Sequence, residues 1–241
     1  VTDGTFRNLS VEAPAQTVFN VSEPHATIYY YPPLGLLIDL IIRAMADALP
    51  DFVVAGQTAD PMNITFVGER TDESRFVTGA ATAVGWGAGY GHDGENGLIN
   101  YGAGDLKNIP VEVVESKYPI RIREYGLRVD SGGCGRWRGG LGISCEYETL
   151  ENEMEMTLWL ERSLMPAWGL NGGSSGAPTR GTVTVDGVDQ EVVKCPPMRL
   201  PVGSRVRVMT GGGGGYGCPS ERDPKAIEDD LLDGYVSSWP S

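Results

Sequence analysis

Alternation of apolar and polar positions dominates the chain from about residue 63 onward. "NITFV", "PIRIREYGLRV", "ISCEYETL", "MEMTLWLE", "GTVTV", "QEVVK" and "RVRVM" carry a period of two or runs of β-branched residues, and "FVVA" adds a shorter run upstream. Such patterns predict short, half-buried strands. Asp186-Gly187, inside "TVTVDGVDQEVV", sits where a two-residue type I′ hairpin turn belongs. A helical period appears twice. After Pro32-Pro33 and before Pro50, a helix is predicted from about Leu34 to Leu49. Its apolar stripe comprises Leu37, Ile41, Ala44 and Ala48, with Leu40 and Met45 alongside, and Asp39, Arg43 and Asp47 recur at i, i+4 on the other side. The pattern places the stripe on a core, the charges in water, and no chemistry on the helix. Asp223-Pro224 then reads as an N-cap and first-turn pair opening a helix through about Leu232, which Gly234 can terminate. The expected class is α+β, β-dominated with glycine-rich loops, one amphipathic helix near the N-terminus and a short C-terminal helix. With no repeat period and no low-complexity linker, residues 1–241 are treated as one domain.

Charge and composition narrow the possible partners. The 32 acidic residues against 19 basic ones give a formal charge of -13, which repels nucleic acid and anionic lipid. The longest apolar run, "LGLLIDLIIRAMADAL", is interrupted by Asp39, Arg43 and Asp47 and falls short of a membrane span. Neither nucleic acid nor membrane is therefore an expected partner. The opening "VTDGTFRN" is turn-rich and lacks the charged-then-apolar pattern of a leader, so a processed chain, a separate subunit or a piece of something longer are all compatible with it. Cys134, Cys145, Cys195 and Cys218 are irregularly spaced, without a C-x-x-C pair or nearby histidines. Reduced thiols and a cytoplasmic location are expected. Sequons at Asn8, Asn20 and Asn63 would matter only in a secreted eukaryotic protein.

Several short motifs invite chemistry and lose it to their context. "GGSSG" (Gly172 to Gly176) has the G-x-S-x-G spacing of a nucleophile elbow around Ser174, but no buried strand precedes it and no helix follows. Both histidines, His25 and His92, precede it as well, whereas that hydrolase order places histidine last. "GYGHDG" (Gly89 to Gly94) fits G-x-G-x-x-G, yet "ENGLINYGAGD" cannot be the helix that would hold a pyrophosphate. The run Gly211 to Gly215 lacks the Lys-Ser or Lys-Thr of a phosphate loop and reads as a close-packing turn. His92, Asp93 and Glu95 are a thin supply of metal ligands and read as a solvated turn. In "DSGGCGRWRGGLG" six glycines surround Arg136 and Arg138. A guanidinium fork suits a carboxylate or phosphate ligand, and equally a structural acid such as Asp130.

Taken in order, "VGWGAGYGHDG", "NIPVEVVESKYPI", "YGLRVDSGGCGRWRGGLG", "PAWGLNGGSSGAP" and "GGGGGYGCPSERDP", followed by "DLLDGYVS", resemble the C-terminal part of the hydantoinase B/oxoprolinase family. Weaker agreement runs upstream through "FRNLSVEAPAQTVFN" and the Leu34 helix, so the resemblance covers nearly the whole chain.

The resemblance implies a subunit or half-subunit of an ATP-dependent complex that hydrolyses a cyclic amide or imide, such as a hydantoin, oxoproline or lactam, through a phosphorylated intermediate. The alternatives it leaves are a subunit of an ATP-dependent ketone carboxylase, for acetone or an aryl ketone, and a non-catalytic scaffold. It implies a hydantoinase A-type partner carrying ATP and Mg2+, and a chain carrying the N-terminal half of the B-type subunit. The family's catalytic divalent metal belongs to that missing half, so no metal ligand and no cofactor contact is expected here, and the chain alone is expected to be inactive. The charged residues in or beside the matched blocks are the candidate site participants: Asp93, Glu112, Asp130, Arg136, Arg138 and Arg162. The glycine block itself is expected to serve either an assembly surface or an anion site.

Overall fold

A computed structural model describes residues 4, 7–25, 31–58, 62–101 and 107–240. Two antiparallel sheets carry the fold, as the β-dominated pattern requires. One has the order β2-β1-β5-β8, built from β1 (Met62–Glu69), β2 (Arg75–Thr82), β5 (Met154–Trp159) and β8 (Lys194–Leu200). The other has the order β3-β4-β9-β6-β7, built from β3 (Ile120–Leu127), β4 (Ile143–Thr149), β6 (Arg180–Val185), β7 (Val188–Glu191) and β9 (Arg205–Met209). Their inner faces share one core: Ile64, Phe66, Met154, Met156 and Leu158 from the first meet Ile120, Cys145, Tyr147, Val206 and Val208 from the second. The Phe66 and Tyr147 rings lie 5.5 Å apart across the gap. In β5 the burial alternates strictly between Met154, Met156 and Leu158 and the residues between them, so the period of two read from the sequence is the period of the core.

Strand β8 carries Pro196-Pro197, which a central strand could not hold because proline cannot donate to the ladder. It lies at the edge of its sheet, against β5. Between β6 and β7, Asp186 and Gly187 have φ of 51° and 78°, the left-handed pair that a type I′ turn demands. The segment "FVVA" forms no strand; its Val54 makes a single bridge to Gly89.

Helix α1 spans Tyr31–Ala44, α2 Val111–Lys117 and α3 Pro224–Leu232. Helix α3 agrees with its sequence signals: the Asp223 side chain accepts a 2.9 Å bond from the Lys225 amide, and Gly234 follows at φ 71°. Helix α1 does not. It ends earlier than Leu49, and although Arg43 and Asp47 are exposed as expected, Asp39 turns inward and much of the apolar stripe turns outward. The inward line is Gly35, Asp39, Ile42 and Ala46, with Asp39 fully buried. Leu40, Ile41 and Met45, expected on the core, are 41%, 52% and 43% exposed. The inward turn follows from what Asp39 meets inside, a buried arginine described below.

The glycine-rich blocks converge at the end of the sandwich where β2 and β9 finish and β4 and β6 begin. Residues 210–217 are buried throughout. In a sheet, an extended strand bonds two neighbours in alternation. Here successive glycines bond different segments. The Gly213 amide donates to Gly140 and its carbonyl accepts from Gly133, Gly214 bonds Gly56 and Ala88, and Gly215 bonds Ser174 and Leu170, all at 2.8–3.0 Å. This radial arrangement, with backbone bonds to neighbours all round and none internal, is the logic of packed polyproline-II-like chains, where only glycine fits at a crowded axis. A methyl group on Gly213 would lie 1.8 Å from the Trp86 carbonyl oxygen, and one on Gly214 would lie 1.9 Å from that of Trp168. The block opening on Asp130 is part of this lattice. Its glycines are there to admit neighbouring backbones.

Gly213→Ala is expected to abolish folding, seen as loss of soluble protein with a cooperative thermal transition. Gly126→Ala, in β3 with nothing within 4 Å of the added methyl, is expected to shift stability by no more than about 1 kcal/mol.

Candidate functional site

The six charged residues singled out in the sequence fall into separate places. Asp93 and Arg138 come together. The Asp93 carboxylate accepts 2.7 Å bonds from both terminal nitrogens of Arg222 and another, also 2.7 Å, from the Arg138 backbone amide. Asp230, on α3, accepts from Arg222 Nη2 at 2.6 Å and from Arg138 Nε at 3.1 Å. Arg138 also donates to the Gly139 carbonyl at 2.7 Å. Two cations and two anions thus close a neutral network that ties α3 to the glycine lattice. Burial works to raise the Asp93 carboxyl, but the Arg222 fork and the Arg138 contacts outweigh it and hold the group below the usual carboxylate range.

The others stand apart. Asp130, at φ 60°, accepts 2.7 Å bonds from the Ser237 amide and hydroxyl and so pins the C-terminal turn. Arg136 is half exposed, lies 4.8 Å over the Trp137 ring and faces Glu221 at 3.9 Å, along a shallow groove shared with Tyr90, Asn171 and Tyr216. Glu112 is exposed in the first turn of α2. Ser174, rejected as a nucleophile from its context, has its hydroxyl engaged as acceptor of a 2.7 Å bond from the Cys134 amide.

Arg162 defines a second buried cluster, one that sequence reasoning missed. Its Nη2 donates to Asp39 Oδ2 at 2.5 Å, and Asp39 Oδ1 accepts from the Gln57 amide at 3.4 Å. Both Arg162 and Arg43 lie over the Trp168 ring, at 4.7 and 4.8 Å. Arg162 takes a φ of 56°, so this residue leaves the sandwich through a turn that aims its side chain back under α1. Around the pair, the Gln57 side-chain amide, the Thr58 and Tyr101 hydroxyls and the Trp168 indole nitrogen are buried without hydrogen-bond partners among the described residues. Burial pushes the Asp39 carboxyl up to about 7 despite the opposing charges of Arg162 and Arg43. Burial, together with the charge of Asp39, also raises the Tyr101 phenol above its ordinary range. A carboxyl near neutrality beside unpaired donors has the makings of a proton-transfer site. As it stands the cluster is closed to water, and its work is to hold α1 against the loop after β5. The signals that could have found it are weak: Asp39 looks like one of a solvated i, i+4 series, and Arg162 lies 123 residues away.

Between the sheets, beside α2, a cavity of about 390 Å³ is lined by Phe66, Ile120, Ile122, Val114, Tyr125 and Tyr147. Its walls are mostly apolar, with Lys107, Asn108, Thr78 and Thr82 among them. Among the described residues no group of three or more His, Cys, Asp and Glu side chains is arranged to hold a metal ion. All four cysteines are free, and no described helix is long and apolar enough to cross a membrane.

Comparison with known proteins assigns this fold to a family. The hydantoinase B/oxoprolinase family model matches residues 1–219, and the chain belongs to that family. It is 30% identical to the B-type subunit of the putative D-/L-hydantoinase of a Pseudomonas species, over 97% of this chain and 39% of that one. It is 31% identical to the beta subunit of the caprolactamase of Pseudomonas jessenii, over 98% of this chain and 42% of the relative. The crystal structure of the ATP-dependent caprolactamase from that organism superposes with a TM-score of 0.83 at 28% identity, covering 97% of this chain and 42% of that chain. The fold alone extends to nucleotide-free acetone carboxylase, with a TM-score of 0.67 at 19% identity over 76% of this chain and 29% of that one. The chain therefore spans about two-fifths of the length of the curated relatives it matches.

Two substitutions probe the buried charges. Arg222→Met leaves Asp93 and Asp230 without their shared cation and is expected to cost about 3–5 kcal/mol in urea denaturation. For Asp39 the folded value near 7 lies above the unfolded 3.8, so its contribution to stability is fully present below about pH 3.8 and is lost as pH rises towards 7. Asp39→Asn is expected to remove this fall, of up to about 1.4 kcal/mol per pH unit, from a series of melting curves. Equal slopes in variant and parent would rule out the shift.

Proposed function

We propose that this chain is part of the B-type subunit of an ATP-dependent complex that opens a cyclic amide or imide: a hydantoin, an oxoproline or a lactam. The observation that carries the reading is the superposition of 97% of this chain on 42% of the ATP-dependent caprolactamase chain, with a TM-score of 0.83 at 28% identity. The hydantoinase relative supports the same class of substrate. An amide carbonyl is a poor electrophile. Transfer of a phosphoryl group from ATP to its oxygen would give water a reactive carbon and supply a good leaving group, at a site from which bulk water must be kept.

In this reading ATP and Mg2+ sit on a hydantoinase A-type partner. The catalytic divalent metal sits in the part of the B-type fold that this chain lacks, and the chain alone is inactive. The residues described above then act by positioning. Asp93, Arg138 and Asp130 fix the glycine lattice and the C-terminal turn, and Arg162 fixes α1 through Asp39. Arg136, exposed along its groove, is free to meet a substrate or another protein of the complex. Glu112 has no assigned part.

The test is turnover by the complex purified from its source with this chain in it. ADP release should depend on hydantoin, 5-oxoproline or caprolactam and match the ring-opened acid mole for mole. ATP consumption that requires a ketone and bicarbonate would replace the reading with a carboxylase, and a complex that uses no ATP would leave a scaffold.

A further inference from the structure

We propose that the outward faces of α1 and of the N-terminal arm form the seat on which the rest of the hydantoinase B fold, the part outside this chain, docks. The inference rests on the reading of this chain as part of a B-type subunit and goes further by naming the contact surface. Two independent observations carry it.

The first is the apolar stripe that α1 turns outward. A helix on a finished surface turns its apolar stripe inward. Here the buried face is built around Asp39, locked by the 2.5 Å bond from Arg162, so the helix cannot roll to bury Leu40, Ile41 and Met45 without stranding that charge. The same holds upstream. Along residues 7–25 almost every position is exposed, and Val11, Val18 and Phe19 project with 91%, 68% and 44% of their surface in water. Further round, the loop that carries Arg162 to α1 ends in Leu164 and Met165, also exposed. In contrast, the sandwich interior is complete without any of these side chains. Exposed apolar side chains gathered on one face of α1 and recurring along residues 7–25 mark an interface.

The second observation selects the occupant. The relatives align with this chain over 97–98% of its length but over only 39–42% of theirs. More than half of each relative therefore lies outside the region aligned with this chain, and a part of that size within one subunit needs a surface to lie on. Neither α1 nor the arm carries a cluster of charge that would suit an anionic ligand or a phosphate-bearing partner. The matching surface is an apolar face of the remaining B-type fold, whether it belongs to the same polypeptide or to another.

The test is site-specific photocrosslinking in the assembly as it exists in cells. Benzoylphenylalanine is placed at Ile41 or at Met45, and the linked peptides are sequenced. The expected product joins α1 to a peptide of a hydantoinase B-type sequence from outside the region aligned here. Linkage to a second copy of this chain, linkage to an ATP-binding subunit, or no linkage at both positions would each overturn the proposal. Ile41→Asp with Met45→Asp supplies a second readout. Because both side chains are exposed, the variant's thermal midpoint should be unchanged while its recovery with the B-type partner peptide falls about tenfold or more. Undiminished recovery would also overturn it. ATP turnover measured on the same preparations separates the two claims. Crosslinks without turnover leave the docking surface standing and remove the amidohydrolase reading, and turnover without crosslinks does the reverse.

Discussion

Backbone-to-backbone contact along Gly211–Gly215 is the constraint on which the other features depend. A side-chain core tolerates compensating changes, because a smaller residue at one position can be offset by a larger one nearby. The glycine lattice has no such slack: its neighbours are carbonyl oxygens 1.8–2.0 Å from where a methyl group would sit, at Gly139, Gly140 and Gly212 as well as at Gly213 and Gly214. Glycine costs conformational entropy on folding. Here that cost is set against a buried region in which backbone amides and carbonyls find partners without a sheet or helix to supply them. Strands β2, β4, β6 and β9 all enter or leave the sandwich through this region, so its geometry decides how the two sheets are held at that end.

The buried charges arrange themselves around the same lattice and differ in completeness. Asp93, Asp230, Arg138 and Arg222 balance in number and bond one another, with the Arg138 amide and the Gly139 carbonyl among their partners. The Asp39–Arg162 pair is less settled: a second cation, Arg43, shares its tryptophan, and several polar groups nearby lack partners among the described residues. Buried ion pairs are unfavourable to assemble and costly to break singly. The charge-balanced network therefore behaves as a rivet, with Arg222 Nε its one buried donor lacking a partner among the described residues, whereas the Asp39 cluster retains capacity for several further bonds.

Much of the fold was legible in the sequence. Period-two and β-branched stretches became β1, β3 to β6 and β9, "QEVVK" instead straddled the end of β7 and the start of β8, the Asp186-Gly187 turn and the Asp223 cap formed as their chemistry dictates, and the family was readable from the order of its glycine blocks. What was not legible has physical reasons. "RFVTGAAT" hides β2 because glycine and alanine dilute the alternation, and "KCPPMRL" hides β8 because its prolines are tolerable only at an edge. The inward turn of Asp39 on α1 was not legible because its partner, Arg162, lies 123 residues away and the local stripe does not report it. The site was least legible. Asp93 and Arg222 lie 129 residues apart and Arg138 and Asp230 lie 92 apart, and no local spacing reports such pairs. Charged residues beside the glycine blocks include Asp93, Arg138 and Arg162 but not the residues they bond, Arg222, Asp230 and Asp39.

The lattice also bears on how such proteins diverge. A sandwich interior can exchange leucine for methionine or valine for isoleucine and drift until little of its sequence is shared. Positions that touch carbonyl oxygens on several sides have no alternative residue to drift to. Their spacing along the chain is then a slow clock beside a fast one, and it preserves a legible line of descent after the surrounding side chains have been overwritten.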